Sequence, residues 1–107
     1  MGKLWEHFVL NEIHAQLQTR EIRYWRDKRG HEIDFIFQKR GGHPIVIECK
    51  WRAGNFEPSN LKAFRRAYPR GNNFIVCHDI DRPFTRTYES QRASFVSLSG
   101  LVDALLG

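Results

Sequence analysis

The chain has 107 residues, 41% of them hydrophobic, and carries a formal charge of +5 from 17 Lys and Arg against 12 Asp and Glu. That length suits a single domain over residues 1–107 and excludes two ordinary ones, and the apolar content excludes wholesale disorder. No apolar run approaches the ~20 residues that cross a bilayer, and the start Met-Gly-Lys-Leu-Trp-Glu-His holds no signal-peptide core, so a cytoplasmic protein without a membrane partner is expected.

The excess of basic residues is mostly arginine, which suits a polyanionic partner such as nucleic acid. Cys49 and Cys77 lie inside apolar runs and form no metal-type cluster, so buried reduced thiols are expected.

In chain order, residues 3–18 read as a helix, with Trp5, Phe8, Val9, Ile13 and Leu17 at helical spacing. Glu6 shares a stripe with Leu10, Ile13 and Leu17, which turns one acid toward whatever the helix covers; the alternative is a first-turn acid favoured by the helix dipole. Residues 21–28 read as a strand, Arg29-Gly30 as a turn, 31–39 as a second strand and 44–51 as a third, with Lys39-Arg40-Gly41-Gly42 as the hairpin turn between them. Residues 52–58 form a loop. Ser59 or Pro58 opens a basic helix over 59–68, with Leu61, Phe64, Ala67 and Tyr68 inward and Lys62, Arg65 and Arg66 outward.

Asn73–His78 is a fourth, buried strand. Residues 79–92 are polar and read as irregular. Residues 94–98 form a last short strand, and Ser99 caps a closing helix that buries Leu101, Val102, Leu105 and Leu106. The first three strands should be antiparallel neighbours, and the third and fourth, joined through a helix, should be parallel. The expected fold is α/β: a three-layer α/β/α arrangement around a central mixed sheet.

The stretch from Gly30 to Trp51 holds the charges that need explaining. Asp34 interrupts Ile-Asp-Phe-Ile-Phe, and Glu48 and Lys50 interrupt Ile-Val-Ile-Glu-Cys-Lys-Trp, the most apolar strand of the chain. Alternation puts Glu48 and Lys50 on one face, and Glu32 with Asp34 likewise. Buried charges of this kind are costly unless they are paired or hold a metal. Carboxylates from Asp34, Glu48 and Glu6 suit a hard cation such as Mg²⁺ or Mn²⁺, and Lys50 beside them suits an attacking water or a phosphate. Hydrolysis of a phosphodiester is the chemistry this set can do. Arg26, Lys28, Arg29, Arg52, Lys62, Arg65 and Arg66 are candidates for phosphate contacts, against the alternative of an ordinary solvated basic face. His31, His43 and His78 are expected at the surface and Trp25 and Trp51 in the core.

Ile-Asp34-Phe-Ile followed by Ile-Glu48-Cys-Lys50 resembles the signature of the PD-(D/E)xK nuclease superfamily, although Ile33 stands where the name has proline. The resemblance covers about residues 2–78. It implies a restriction-endonuclease-like fold, a Mg²⁺-dependent deoxyribonuclease activity with Asp34, Glu48 and Lys50 as its motif residues, and Glu6 as the acid that the first helix supplies in many members.

A closer likeness runs through Gly-x-x-Trp-Glu-x-Phe-Val, Tyr-Trp-Arg-Asp-Lys-x-Gly-x-Glu-Ile-Asp-Phe-Ile, Ile-x-Ile-Glu-Cys-Lys and Leu-Lys-Ala-Phe. These resemble a nuclease-like domain of unknown function that typically ends prokaryotic P-loop ATPases of the AAA type. That implies an AAA-type ATPase domain or subunit as partner. The chain itself has no Gly-x-x-x-x-Gly-Lys-Ser/Thr, so it reads as an excised domain or a stand-alone relative. Two functions stay open: a metal-dependent nuclease on DNA, acting as a homodimer if it resolves junctions, or a catalytically silent module that binds nucleic acid or regulates an attached ATPase.

Overall fold

The computed structural model describes residues 2–17 and 21–107. Residue 18, the end of the first predicted helix, lies outside the described residues. The elements in order are α1 (Gly2–Leu17), β1 (Ile22–Arg26), β2 (Glu32–Phe37), β3 (Ile45–Lys50), a 3₁₀ turn (Ala53–Asn55), α2 (Ser59–Ala67), β4 (Asn73–Cys77), β5 (Phe84–Tyr88), β6 (Gln91–Val96) and α3 (Leu98–Leu106). The strands form one six-stranded sheet in the order β1-β2-β3-β4-β6-β5. As expected, β1, β2 and β3 pair antiparallel and β3 pairs parallel with β4.

The three layers follow from where the apolar side chains go. On one face Trp5, Val9 and Ile13 of α1 and Leu101 and Leu105 of α3 pack on Phe35, Phe37, Ile47, Phe74 and Val76. On the other, Leu61 and Phe64 of α2 pack on Ile33, Ile36, Val46, Ile75 and Phe95. Strands β3 and β4 are covered on both faces, which is why they read as near-continuous apolar runs.

Several expectations are corrected. Residues 84–88 are a strand, not irregular: Phe84 and Tyr88 are half-buried while Thr85, Arg86 and Thr87 are exposed, and β5 pairs antiparallel with β6. The hairpin hides from a sequence reading because its turn uses Glu89 at φ 58° where Gly or Asn is usual. The closing helix is capped by Ser97, whose Oγ accepts from the Gly100 N–H at 3.1 Å, not by Ser99. Leu106 and Phe8 are exposed, at 56% and 57%. Phe8 lies on the outer side of α1 and stacks along Trp5. Ala67 and Tyr68 are exposed because α2 ends there and the chain turns away from the sheet.

Arg65, expected to face outward, is buried at 3% exposure. It shares a stripe with Leu61, four residues earlier, so the helix turns it inward. Its Nε–H donates to Asn73 Oδ1, its Nη1 to the carbonyls of Tyr68 and Arg70, and its Nη2 to those of Pro44 and Asn72. All five guanidinium N–H groups are satisfied, and none of the partners is an acid. Asn73 in turn donates to the Arg92 carbonyl of β6. Gly71, at φ 132°, lets the backbone close over this group: a Cβ there would lie 2.1 Å from the Pro44 oxygen.

Candidate active site

The other end of the sheet carries the acids. The β2–β3 ladder runs from Phe37↔Ile45 to Phe35↔Ile47, and one step further Asp34 faces Glu48. Here side chains take over the cross-strand bonding. The Asp34 N–H donates to Glu48 Oε1 at 2.8 Å, and the Cys49 N–H donates to Asp34 Oδ2 at 2.8 Å.

A bulge in β2 re-aims Asp34. Against β1, Ile36 pairs with Arg23 and Ile33 with Trp25, so three steps on β2 oppose two on β1. Ile33 and Ile36 face α2 while Phe35 faces α1. The extra residue therefore falls at Asp34–Phe35, and Asp34 joins a cleft of about 480 Å³ lined by Gly2, Lys3, Glu6, Cys49, Lys50, Trp51 and Asn55.

Burial pushes the Asp34 carboxyl up to about 6, with the charges of Glu6 and Glu32 adding to it and the Cys49 N–H and Lys50 opposing it. Glu48 is pushed up to about 8, first by burial and then by the Asp34 charge, against the Asp34 N–H and Lys50. Glu48 is only 3% exposed. The structure thus brings Asp34, Glu48 and Lys50 into one electrostatic group. Glu6 bears on Asp34 from the α1 side of the cleft, and it is not among the groups that act on Glu48.

Among the described residues, no three His, Cys, Asp or Glu side chains form a ready metal cage, so the three predicted acids do not close into one. The donor set nevertheless fits a hard divalent cation. Asp34 and Glu48 each commit one oxygen to a backbone N–H, and the second makes no hydrogen bond among the described residues. Two carboxylates held together in low dielectric are a site where bound positive charge is favourable. Cys49 and Cys77 are both free; burial raises both thiols, Cys77 to about 12, so neither is a nucleophile.

The predicted basic residues divide by position. Arg26 pairs with Glu32 across β1 and β2, in line with the Lys50↔Cys77 pair, so it sits at the acidic end. It forms a 3.2 Å ion pair with Glu32. Lys28 and Arg29 lie on the adjoining turn, which Asp27 organises by accepting from the N–H groups of Arg29 and His31 and from the His31 ring. Arg52, exposed, follows Trp51 at the same end. Lys62 is engaged with Glu89 at 3.1 Å. Arg66 is exposed beside the buried Arg65, toward the opposite end of the sheet, and Arg65 itself is unavailable to any phosphate.

Sequence reasoning missed two aromatic groups at the cleft. Trp51, expected in the core, is half-buried and lines the cleft. The exposed His78 ring stacks on it, 3.8 Å between centroids and 10° from parallel. The signal was present: β3 and β4 run parallel with Lys50 beside Cys77, so the next residues, Trp51 and His78, must be neighbours. Trp25, also expected in the core, is half-buried against Phe64.

The sequence profile of the family described as "Domain of unknown function (DUF4143)" matches residues 1–98. No curated protein matches the chain. Among solved structures, the fold is similar to a chain in the tetradecameric assembly of Thermococcus gammatolerans McrB AAA+ hexamers with bound McrC. The TM-score is 0.59 at 16% identity, over 89% of this chain and 27% of that one. This chain therefore spans about a quarter of the length of the one it matches. The likeness is one of fold.

Proposed function

The chain belongs to the DUF4143 family, and we propose that its cleft hydrolyses phosphodiester bonds of DNA with a divalent cation. The observation that carries this reading is the reciprocal pairing of the half-buried Asp34 with the buried Glu48 beside Lys50, each with one carboxylate oxygen uncommitted. These two residues would hold Mg²⁺ or Mn²⁺. The cation would polarise a phosphoryl group and lower the pKa of a bound water.

The chain's own groups supply the rest. Lys50 lines the cleft next to Asp34, where its ammonium offsets charge that builds on a phosphate or orients the attacking water. The Asp34 and Cys49 N–H groups lock both carboxylates in place, so the site is organised before substrate arrives. Glu6 supplies a further acceptor from α1. Arg26, Lys28, Arg29 and Arg52 ring the same end of the sheet and would hold the DNA backbone.

The test is cleavage of labelled duplex, single-stranded, flapped and four-way-junction DNA with Mg²⁺ or Mn²⁺, comparing wild type with Lys50→Ala. Metal-dependent cleavage by the wild type, lost in the variant, is the expected result. Absence of cleavage by the wild type on every substrate contradicts the reading.

A second reading rests on a different observation, the likeness in fold to a chain from an assembly built on AAA+ hexamers. Under it the domain binds or regulates an AAA-type ATPase and cuts nothing. Stimulation of such an ATPase by the Lys50→Ala variant as well as by wild type, with no cleavage by either, would favour it. Among the described residues no helix is long and apolar enough to cross a membrane. Reduced thiols at Cys49 and Cys77 fit a cytoplasmic setting.

A further inference from the structure

We propose that the Trp51–His78 pair is a stacking platform for an unpaired nucleobase, so that the cleft takes a nucleotide from a single-stranded segment and not from an intact duplex. This rests on the nucleic-acid reading of the cleft and names its substrate class.

The platform is built, not incidental. Trp51 follows β3 directly after Lys50, and His78 follows β4 alongside it; the His78 N–H donates to the Trp51 carbonyl at 3.1 Å, which fixes the two residues side by side. Their rings lie parallel at 3.8 Å. The Trp5 indole abuts both rings edge-on, at 81° to Trp51 and 87° to His78. Trp5 is itself tethered by its Nε1–H to the Val76 carbonyl at 3.0 Å. The pair is therefore held rigid from below by a buried aromatic and a backbone bond. Rigidity of this kind lowers the entropic cost of binding a flat ligand.

The position matters as much as the rings. Trp51 lines the same cleft as Asp34, Lys50, Glu6 and Lys3, while His78 is exposed. An aromatic side chain thus lines the same cleft as Lys50 and Lys3, which is the pairing a nucleotide presents in reverse: a flat base joined to an anionic phosphate. Every base has a π face, so such a platform is tolerant of sequence, but the base must be out of its stack to reach it. A duplex offers phosphates to the basic rim and withholds its bases.

The experiment is fluorescence anisotropy in EDTA, where no cleavage occurs, with the whole chain and labelled oligodeoxythymidylate strands of roughly 12 nucleotides. Three probes are compared: the single strand, the same strand with abasic sites in its centre, and its duplex. The abasic strand keeps its phosphates and loses its π faces. The single strand is expected to bind about ten-fold more tightly than the abasic strand, the size of one stacked base, and more tightly than the duplex. Trp51→Leu should weaken the single strand by a similar factor and leave the abasic strand unaffected, and Trp51→Phe should restore most of the loss. The wild-type comparison needs no variant to fold.

Equal binding of the intact and abasic strands, or tighter binding of the duplex, overturns the platform. That failure is separable from failure of the nuclease reading. The platform stands if the strand preference is found without metal-dependent cleavage, and it falls alone if cleavage is found without the preference.

Discussion

The two ends of the sheet bury charge in opposite ways. At the start of β3 and β4, Arg65 is enclosed with every N–H satisfied by neutral oxygens. At the far end of β3, the enclosed Glu48 and the half-buried Asp34 have one N–H apiece and a like charge as neighbour. Burial lowers the Arg65 guanidinium only to about 10, so it stays charged at neutral pH, whereas the two carboxyls are pushed up to about 6 and about 8. A fully satisfied buried charge acts as a structural tie. A poorly satisfied one keeps capacity for something that arrives later, here a cation.

The largest effect should come from cutting the tie. Arg65→Met strands the carbonyls of Pro44, Tyr68, Arg70 and Asn72, and urea unfolding should show a loss on the order of 3 kcal/mol or more. Arg65→Lys should rescue little, since an ammonium has three donors in a different geometry. A loss no greater than that of an exposed-site change would mean the tie is ornamental. Gly71→Ala should cost on the order of 2 kcal/mol or more by the same assay, because its Cβ would meet the Pro44 oxygen and its φ is 132°.

At the acidic end the sign is reversed. Burial and the Asp34 charge push the folded Glu48 carboxyl up to about 8 from its ordinary 4.5, so the folded state holds the extra proton between those values. Without divalent cation, stability should therefore fall as pH rises through that window, by up to a few kcal/mol. Glu48→Gln keeps an acceptor for the Asp34 N–H and removes the Glu48 charge, so its stability should fall only in the lower part of that window, where Asp34 titrates, and stay flat from about 6 to about 8. A wild-type profile that rises toward pH 8 would contradict the account of the pair.

The smallest effect should be in binding. Arg52→Ala, at the acidic end, should weaken single-stranded DNA a few-fold and reduce the salt slope by about one, while Arg66→Ala should leave both unchanged. Equal losses would mean that the basic surface has no preferred end.

How much of this was legible depended on which rule governed each residue. Strands β2 and β3 and the charges within them stood out because apolar runs make a buried acid conspicuous. The bulge that turns Asp34 into the cleft did not, since Glu-Ile-Asp-Phe-Ile-Phe reads as regular alternation. Arg65 was misread because a charged residue on an amphipathic helix is ordinarily solvated; its spacing from Leu61 was the contrary sign. The strand at Phe84–Tyr88 was hidden by its exposed centre, with no apolar residue between Phe84 and Tyr88, and by a turn without glycine. Trp51 and His78 needed the register of the parallel β3–β4 pair, which no local pattern reveals.

Divalent-cation binding by the Asp34–Glu48 pair is the premise of the proposed hydrolysis. Its most direct test is a Mn²⁺ titration at pH 8, with free Mn²⁺ counted by electron paramagnetic resonance, on wild type and Glu48→Gln. One saturable site is expected in the wild type, and its loss in the variant. Absence of a saturable site in the wild type, or the same binding curve for both, would contradict the premise.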